Sequence, residues 1–203
     1  MARPLPTFRG QAGDVWHQLC RKLDGEFVER EGWRQDKVLV HVGRWTVTLD
    51  VHSEPGYKHE TYYTRFRAAY INPDGFRFNI YHQSVWSGIA GLLGAQDVKT
   101  GHPEIDGAFV IKANDEKKIK LLLDNPELRR LLAAEPACHL QVRDSGDWFA
   151  LQFPEGVDEL VLEVEGRVES LERLERLYAL FAETLHTLSH IGSAYEQDPN
   201  LPR

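Results

Sequence analysis

The chain is poor in cysteine and methionine, has no long apolar run, and lacks any excess of positive charge. Only Cys20 and Cys138 occur in 203 residues, far apart and in no metal-binding spacing. That spacing argues against a disulfide framework and leaves reduced thiols as the expectation. No segment approaches the roughly 20 apolar residues that a membrane helix needs. The most apolar helical stretch, Val85 to Leu93, is far shorter. The opening MARPLPTFRG has no apolar run after its first arginine, so it is not expected to act as a secretory leader. A soluble, cytoplasmic protein is the expectation. The formal net charge of -7 argues against a general nucleic-acid binder, whose affinity comes mainly from neutralising phosphates. The serines form no nucleophile elbow, and the cysteines carry no local catalytic signature. Internal repeats and low-complexity segments are absent as well.

What is present reads as alternating strands and amphipathic helices. Hydrophobic residues make up 42% of the chain, enough at this length to bury a core without staples. Val15, Trp16, Leu19 and Leu23 mark a helix over 11–23, ended by Asp24-Gly25. Residues 32–42 and 44–51 predict two strands joined at Gly43. Ser84 predicts the cap of a short helix over 85–93, in which Gly88, Gly91 and Gly94 recur every third residue. That spacing fits close helix packing rather than a phosphate loop. A short strand is expected at 108–112. Two short helices follow, capped by Asn114-Asp115 and by Asn125, with Pro126 separating them. Residues 139–143 and 148–153 predict a hairpin, and 159–168 a further strand. Ser170 caps a long helix that Gly192 stops, with Leu171, Leu174, Tyr178, Phe181, Leu185 and Leu188 in one stripe. Leu177 and Leu180 widen that stripe, which suggests packing against a second layer or a partner.

This order predicts an α+β fold. Its mostly antiparallel sheet would carry an N-terminal helix, two short central helices and a long C-terminal helix packed on the sheet. One domain over 11–194 is expected, with an arm at 1–10 and a tail at 195–203. A subdivision near residues 94–107 is the alternative to a single domain.

The stretch TYYTRFRAAYINPDGFRFNIYH, residues 61–82, reads as a β-hairpin around Asn72-Pro73-Asp74-Gly75. Pairing Asn72 with Phe76 places Tyr62, Phe66, Ala68, Tyr70, Phe76, Phe78 and Ile80 on an apolar face. Tyr63, Arg65, Arg67, Arg77, Asn79 and Tyr81 then share the other. Pairing the first strand with 44–51 adds Asp50, Thr48 and Thr46 to that polar face. Tyr63, Arg65, Arg67, Arg77 and Tyr81 are therefore the candidate binding residues, suited to a phosphate, a carboxylate or stacked bases. The plain alternative is a solvated sheet face balanced by acids such as Asp50, or one covered by a helix or a second subunit.

Two loop clusters carry other chemistry. His52, Glu54, His59 and Glu60 offer imidazole and carboxylate for an ion, in no known metal spacing. Asp97, Thr100, His102, Glu104 and Asp106 suit acid-base work, or simply a turn tied by side-chain-to-backbone bonds.

The segments GAQDVKTG, IDGAFVIKANDE and LLDNPELRRLL, with the later GVDELVLEVEGRV and HIGSAYE, resemble a group of uncharacterised bacterial proteins over roughly residues 60 to 196. The resemblance implies a bacterial, cytosolic domain of unknown function. It carries no catalytic residue and no cofactor. The leading expectation is a non-enzymatic binding or interaction protein with no cofactor or metal. Its partner would be a protein or a small anion, a homodimer being one such arrangement. The alternative is a small metal-dependent or acid-base enzyme using His52, His59, His102 or Asp106.

Overall fold

A computed structural model describes residues 11–29, 36–55, 60–82, 97–144, 153–197 and 199. The expected arm at 1–10, the glycine-spaced helix at 85–93, His59 and all but Phe153 of the strand at 148–153 lie outside these residues. So does the far tail apart from residue 199.

The fold is α+β. Helices are α1 (Gln11–Lys22), α2 (Pro103–Asp106), α3 (Glu116–Leu123), α4 (Pro126–Ala134) and α5 (Leu171–His190). Strands are β1 (Glu26–Val28), β2 (Lys37–Val42), β3 (Trp45–Pro55), β4 (Glu60–Ile71), β5 (Phe78–His82), β6 (Phe109–Ala113), β7 (Cys138–Arg143) and β8 (Val157–Glu165). All eight strands pair antiparallel in one sheet, in the order β1-β2-β3-β4-β8-β7-β5-β6.

The helices form where their caps and stripes dictate. Asp115 accepts from the amides of Lys117 and Lys118 at the start of α3, and Asn125 from those of Glu127 and Leu128 at the start of α4. Pro126 sits in the first turn of α4, where its missing N–H costs nothing. Gly192 takes φ +77° beyond α5, and the amide of Ser193 returns to the carbonyl of Leu188. Trp16 and Leu19 of α1 are buried, as are Ile119 and Leu122 of α3, Leu128 and Leu132 of α4, and Phe181 of α5. All pack on one face of the sheet, against Val47, Leu49, Phe66, Ile80, Leu140 and Leu162. Leu177 and Leu180 are buried in the same core. The wide stripe of α5 therefore packs within the chain, against α1, α3, α4 and β8.

The hairpin expected at 61–82 does not form. The turn itself is present: Gly75 has φ +65°, Asp74 Oδ1 accepts from the Phe76 amide, and Asn72 Nδ2 donates to the Phe76 carbonyl. Beyond it, β4 and β5 part, and β8 and β7 lie between them. Tyr70 faces Asp158, not Phe78, and Arg67 faces Val161, not Tyr81. A local turn decides only a few residues, whereas long strands pair where burial is greatest. β8 is buried over Val157–Leu162 and pairs with β4 along one edge and with β7 along the other, so its backbone groups are met on both sides. The assignment to faces survives, because alternation belongs to each strand separately. Phe66, Ala68, Tyr70, Phe76, Phe78 and Ile80 are all in the core.

Candidate functional site

The sheet face away from the helices carries a continuous polar row. The registers Asp50↔Arg65, Arg65↔Glu163, Glu163↔His139 and Tyr81↔His139 align five side chains across β3, β4, β8, β7 and β5. The neighbouring row holds Thr48, Arg67, Val161, Gln141 and Asn79, and Glu159 stands opposite Arg143.

The arginines of this face are held by its carboxylates. Arg65 donates from Nε and a terminal nitrogen to the two oxygens of Asp50, at 2.8 and 3.1 Å, and its side chain is 4% exposed. Arg67 donates to the same carboxylate at 3.1 Å and lies 3.6 Å from Glu159. Arg143 reaches Glu159 at 2.7 Å. At the far end of the row, the His139 ring meets Asn79 Oδ1 at 2.7 Å and Glu163 at 3.8 Å, and packs edge-on against Tyr81. Burial, helped by the nearby Arg143 charge, pushes the His139 pKa down to about 4, so the ring is neutral at pH 7. Asn79 Oδ1 can only accept, which puts the proton on Nε2 and leaves the lone pair at Nδ1.

Four of the five candidate residues lie on this face, but they are not equivalent. Arg65 and Tyr81 are buried, Arg67 is 30% exposed, and Tyr63 stands half-buried opposite His52. Arg77 is not part of the row. It precedes β5 and turns to the end of the sheet, where it grips Asp158 at 3.0 and 3.1 Å and Asp144 at 2.9 Å. Asn72 Nδ2 shares Asp158, and the Asn72 amide donates to the Gly156 carbonyl. Asp74 next door binds Lys118 and, at 3.0 Å, Ser193. This clasp ties the crossing chain to the start of β8, to α3 and to the segment after α5. Tyr70 Oη and Asn72 Oδ1 are buried beside it with no hydrogen-bond partner among the described residues, and burial followed by the Asp158 charge holds the Tyr70 phenol well above its ordinary pKa.

Glu159, Glu163, His139 and Arg143 complete the row and were not among the candidates. Their signal was present: His139, Gln141 and Arg143 alternate on one strand, and Glu159, Val161 and Glu163 on another. What was lacking was the knowledge that these two strands sit between the pair read as a hairpin.

The loop clusters have local roles. Asp106 accepts from the amides of Thr100 and Gly101 and from the Thr100 hydroxyl, at 2.9–3.0 Å. Burial acts to raise its carboxyl, but these hydrogen bonds outweigh it and the pKa falls below the ordinary value. This is the turn tied by side-chain-to-backbone bonds. His102 lies 3.3 Å from both Asp124 and Arg129, while Glu104 pairs with Arg129 and Asp97 with Lys112. Glu60 accepts from Ser53 and Tyr62. His102 shares the Asp106 turn, its amide donating to the Thr100 hydroxyl at 3.2 Å and its carbonyl accepting from the Asp106 amide at 2.9 Å, whereas His52 lies on β3 opposite Tyr63. Among the described residues, no three His, Cys, Asp or Glu side chains converge on a metal-sized site, and no helix is long and apolar enough to cross a membrane.

No family model matches the chain, and no curated protein or solved structure matches it either.

Proposed function

We propose that this is a non-enzymatic binding protein that engages its partner through the polar face of the sheet. The observation that carries this reading is the ion-pair row itself. Burying arginines and carboxylates on a sheet is rarely cheaper than burying apolar side chains of the same size, so a row of them calls for another reason than stability. The margins of the row are reachable, since Arg67 and Arg143 are 30% and 24% exposed. The pairing also narrows the partner. Arg65 and Arg67 already hold Asp50, and Arg143 already holds Glu159, so a free small anion would have to displace a fixed carboxylate. A partner of mixed or positive charge fits better. A cytoplasmic setting agrees with two buried, unbridged cysteines.

The test is a titration of the isotope-labelled protein, followed at the arginine Nε–H and histidine ring signals. The probes are Nα-acetyl-lysine methylamide and Nα-acetyl-glutamate methylamide. Saturable shifts at Arg67, Arg143 or His139 with either probe are expected. If neither probe moves any of these signals, the face is a structural network and the reading falls.

A further inference from the structure

The helix side of the sheet carries a chemistry that the polar face does not use. The last two turns of α5 hold His186 and His190, four residues apart and therefore neighbours on one stripe of the helix. Glu183 stands one turn earlier on the same stripe. All three line a cavity of about 780 Å³, bounded on its other side by Leu121, Asp124 and Asn125 from the end of α3 and the start of α4. Both imidazoles are exposed, and neither hydrogen-bonds to another described residue. His186 rests edge-on against the buried Trp45, with ring centroids 6.1 Å apart, so one of the two rings is already oriented.

The surroundings favour a cation. The C-terminal end of α5 contributes partial negative charge. Glu183 Oε1 accepts from Asn125 Nδ2 at 2.7 Å, which holds that carboxylate at the cavity without neutralising it. Asp124 adds a second carboxylate, met by His102 at 3.3 Å. Among the described residues, no lysine or arginine lines the cavity. The donor set narrows the cation: imidazole nitrogen suits zinc, nickel and copper, whereas magnesium and calcium take oxygen. Helical residues four apart have Cβ atoms about 5–6 Å from each other, a spacing at which two imidazoles can reach one ion at about 2.1 Å each. No third His, Cys, Asp or Glu among the described residues joins them as a ligand, so the other positions fall to water or to a donor atom of a bound molecule.

We propose that His186 and His190 chelate one divalent transition-metal ion at the C-terminal end of α5. The site lies apart from the polar face and stands or falls without it.

The experiment titrates the isotope-labelled full chain with zinc chloride, and separately with magnesium chloride, read at the imidazole ring nitrogens. Zinc is expected to shift the His186 and His190 rings together, saturably and as one site, and magnesium to shift neither. H186A and H190A each remove one exposed ring, and each is expected to lose the saturable shift at the ring that remains. Should H186A disturb the packing of Trp45, H190A alone carries the test. A remaining ring that binds zinc as tightly as in the unsubstituted chain shows two independent surface imidazoles and overturns the proposal. So does a zinc response confined to other histidines, and so does silence at both rings.

Discussion

Two buried carboxylates, Asp50 and Asp158, are each held by arginine, yet they sit in opposite settings. Asp50 lies mid-sheet on the polar face and joins neighbouring strands. Its partners are Arg65 and Arg67, and the first is only fifteen residues away in sequence. Asp158 lies at the sheet end and joins Arg77 and Asn72, which are 81 and 86 residues distant. Arg65 is 4% exposed, whereas Arg77 is 34% exposed and has Asp144 as a second partner. The same ion pair therefore does two jobs. One fixes a register that the β3–β4 neighbours would adopt anyway. The other holds a chain crossing that no local signal specifies.

That contrast can be broken experimentally. Asp50→Ala leaves Arg65 buried without its carboxylate, and a loss of about 3–5 kcal/mol in urea denaturation is expected. A loss well under that range would mean that the row relaxes toward other carboxylates. The polar face should also respond to acid. His139 has a folded pKa of about 4, below its ordinary 6.5, so the unfolded chain binds the extra proton. Its contribution is fully present above pH 6.5 and is lost as the pH falls toward 4, by about 3 kcal/mol at most. His139→Gln should flatten the stability curve in that window, and an unchanged slope would show that the ring is charged in the folded state. Asp158→Ala is expected to cost less, about 2 kcal/mol, because Arg77 keeps Asp144 and water. A larger loss than at Asp50 would reverse the ranking and make the crossing the weaker link. The smallest change is Tyr70→Phe, which removes a buried hydroxyl that has no partner; thermal melting should move up, by the equivalent of about 1 kcal/mol or less.

Much of the architecture was legible from the residues. Capping by Asp115, Asn125 and Ser170, the break at Pro126 and the alternation of β3 and β4 placed helices and strands, and the polar face through Asp50, Arg65 and Arg67 was visible at once. The neighbours of β4 were not. Asn-Pro-Asp-Gly is a strong turn signal, and it does close a turn, but two strands from residues 138–165 enter behind it. Loop-closure cost favours the near pairing, and β8, buried over Val157–Leu162, overrides it with apolar area that only the assembled sheet can cover. The same error explains why Arg77 was assigned to the face and why Glu163 and His139 were not. The wide stripe of α5 left two readings open, a second layer or a partner, and Leu177 and Leu180 pack in the layer of helices on the sheet, whose number the sequence does not show.

The ends of the sheet bear on how anything could approach it. β1 is three residues long, and the outer side of β6 is met by the Val98 amide, which donates to the Ile111 carbonyl, and by the bridge between Asp97 and Lys112. Among the described residues, these two end strands are short or already met, so a foreign strand gains little by lying alongside them. On the proposed reading of the polar face, specificity is written in side-chain charge and hydrogen bonding and not in backbone pairing at these two strands.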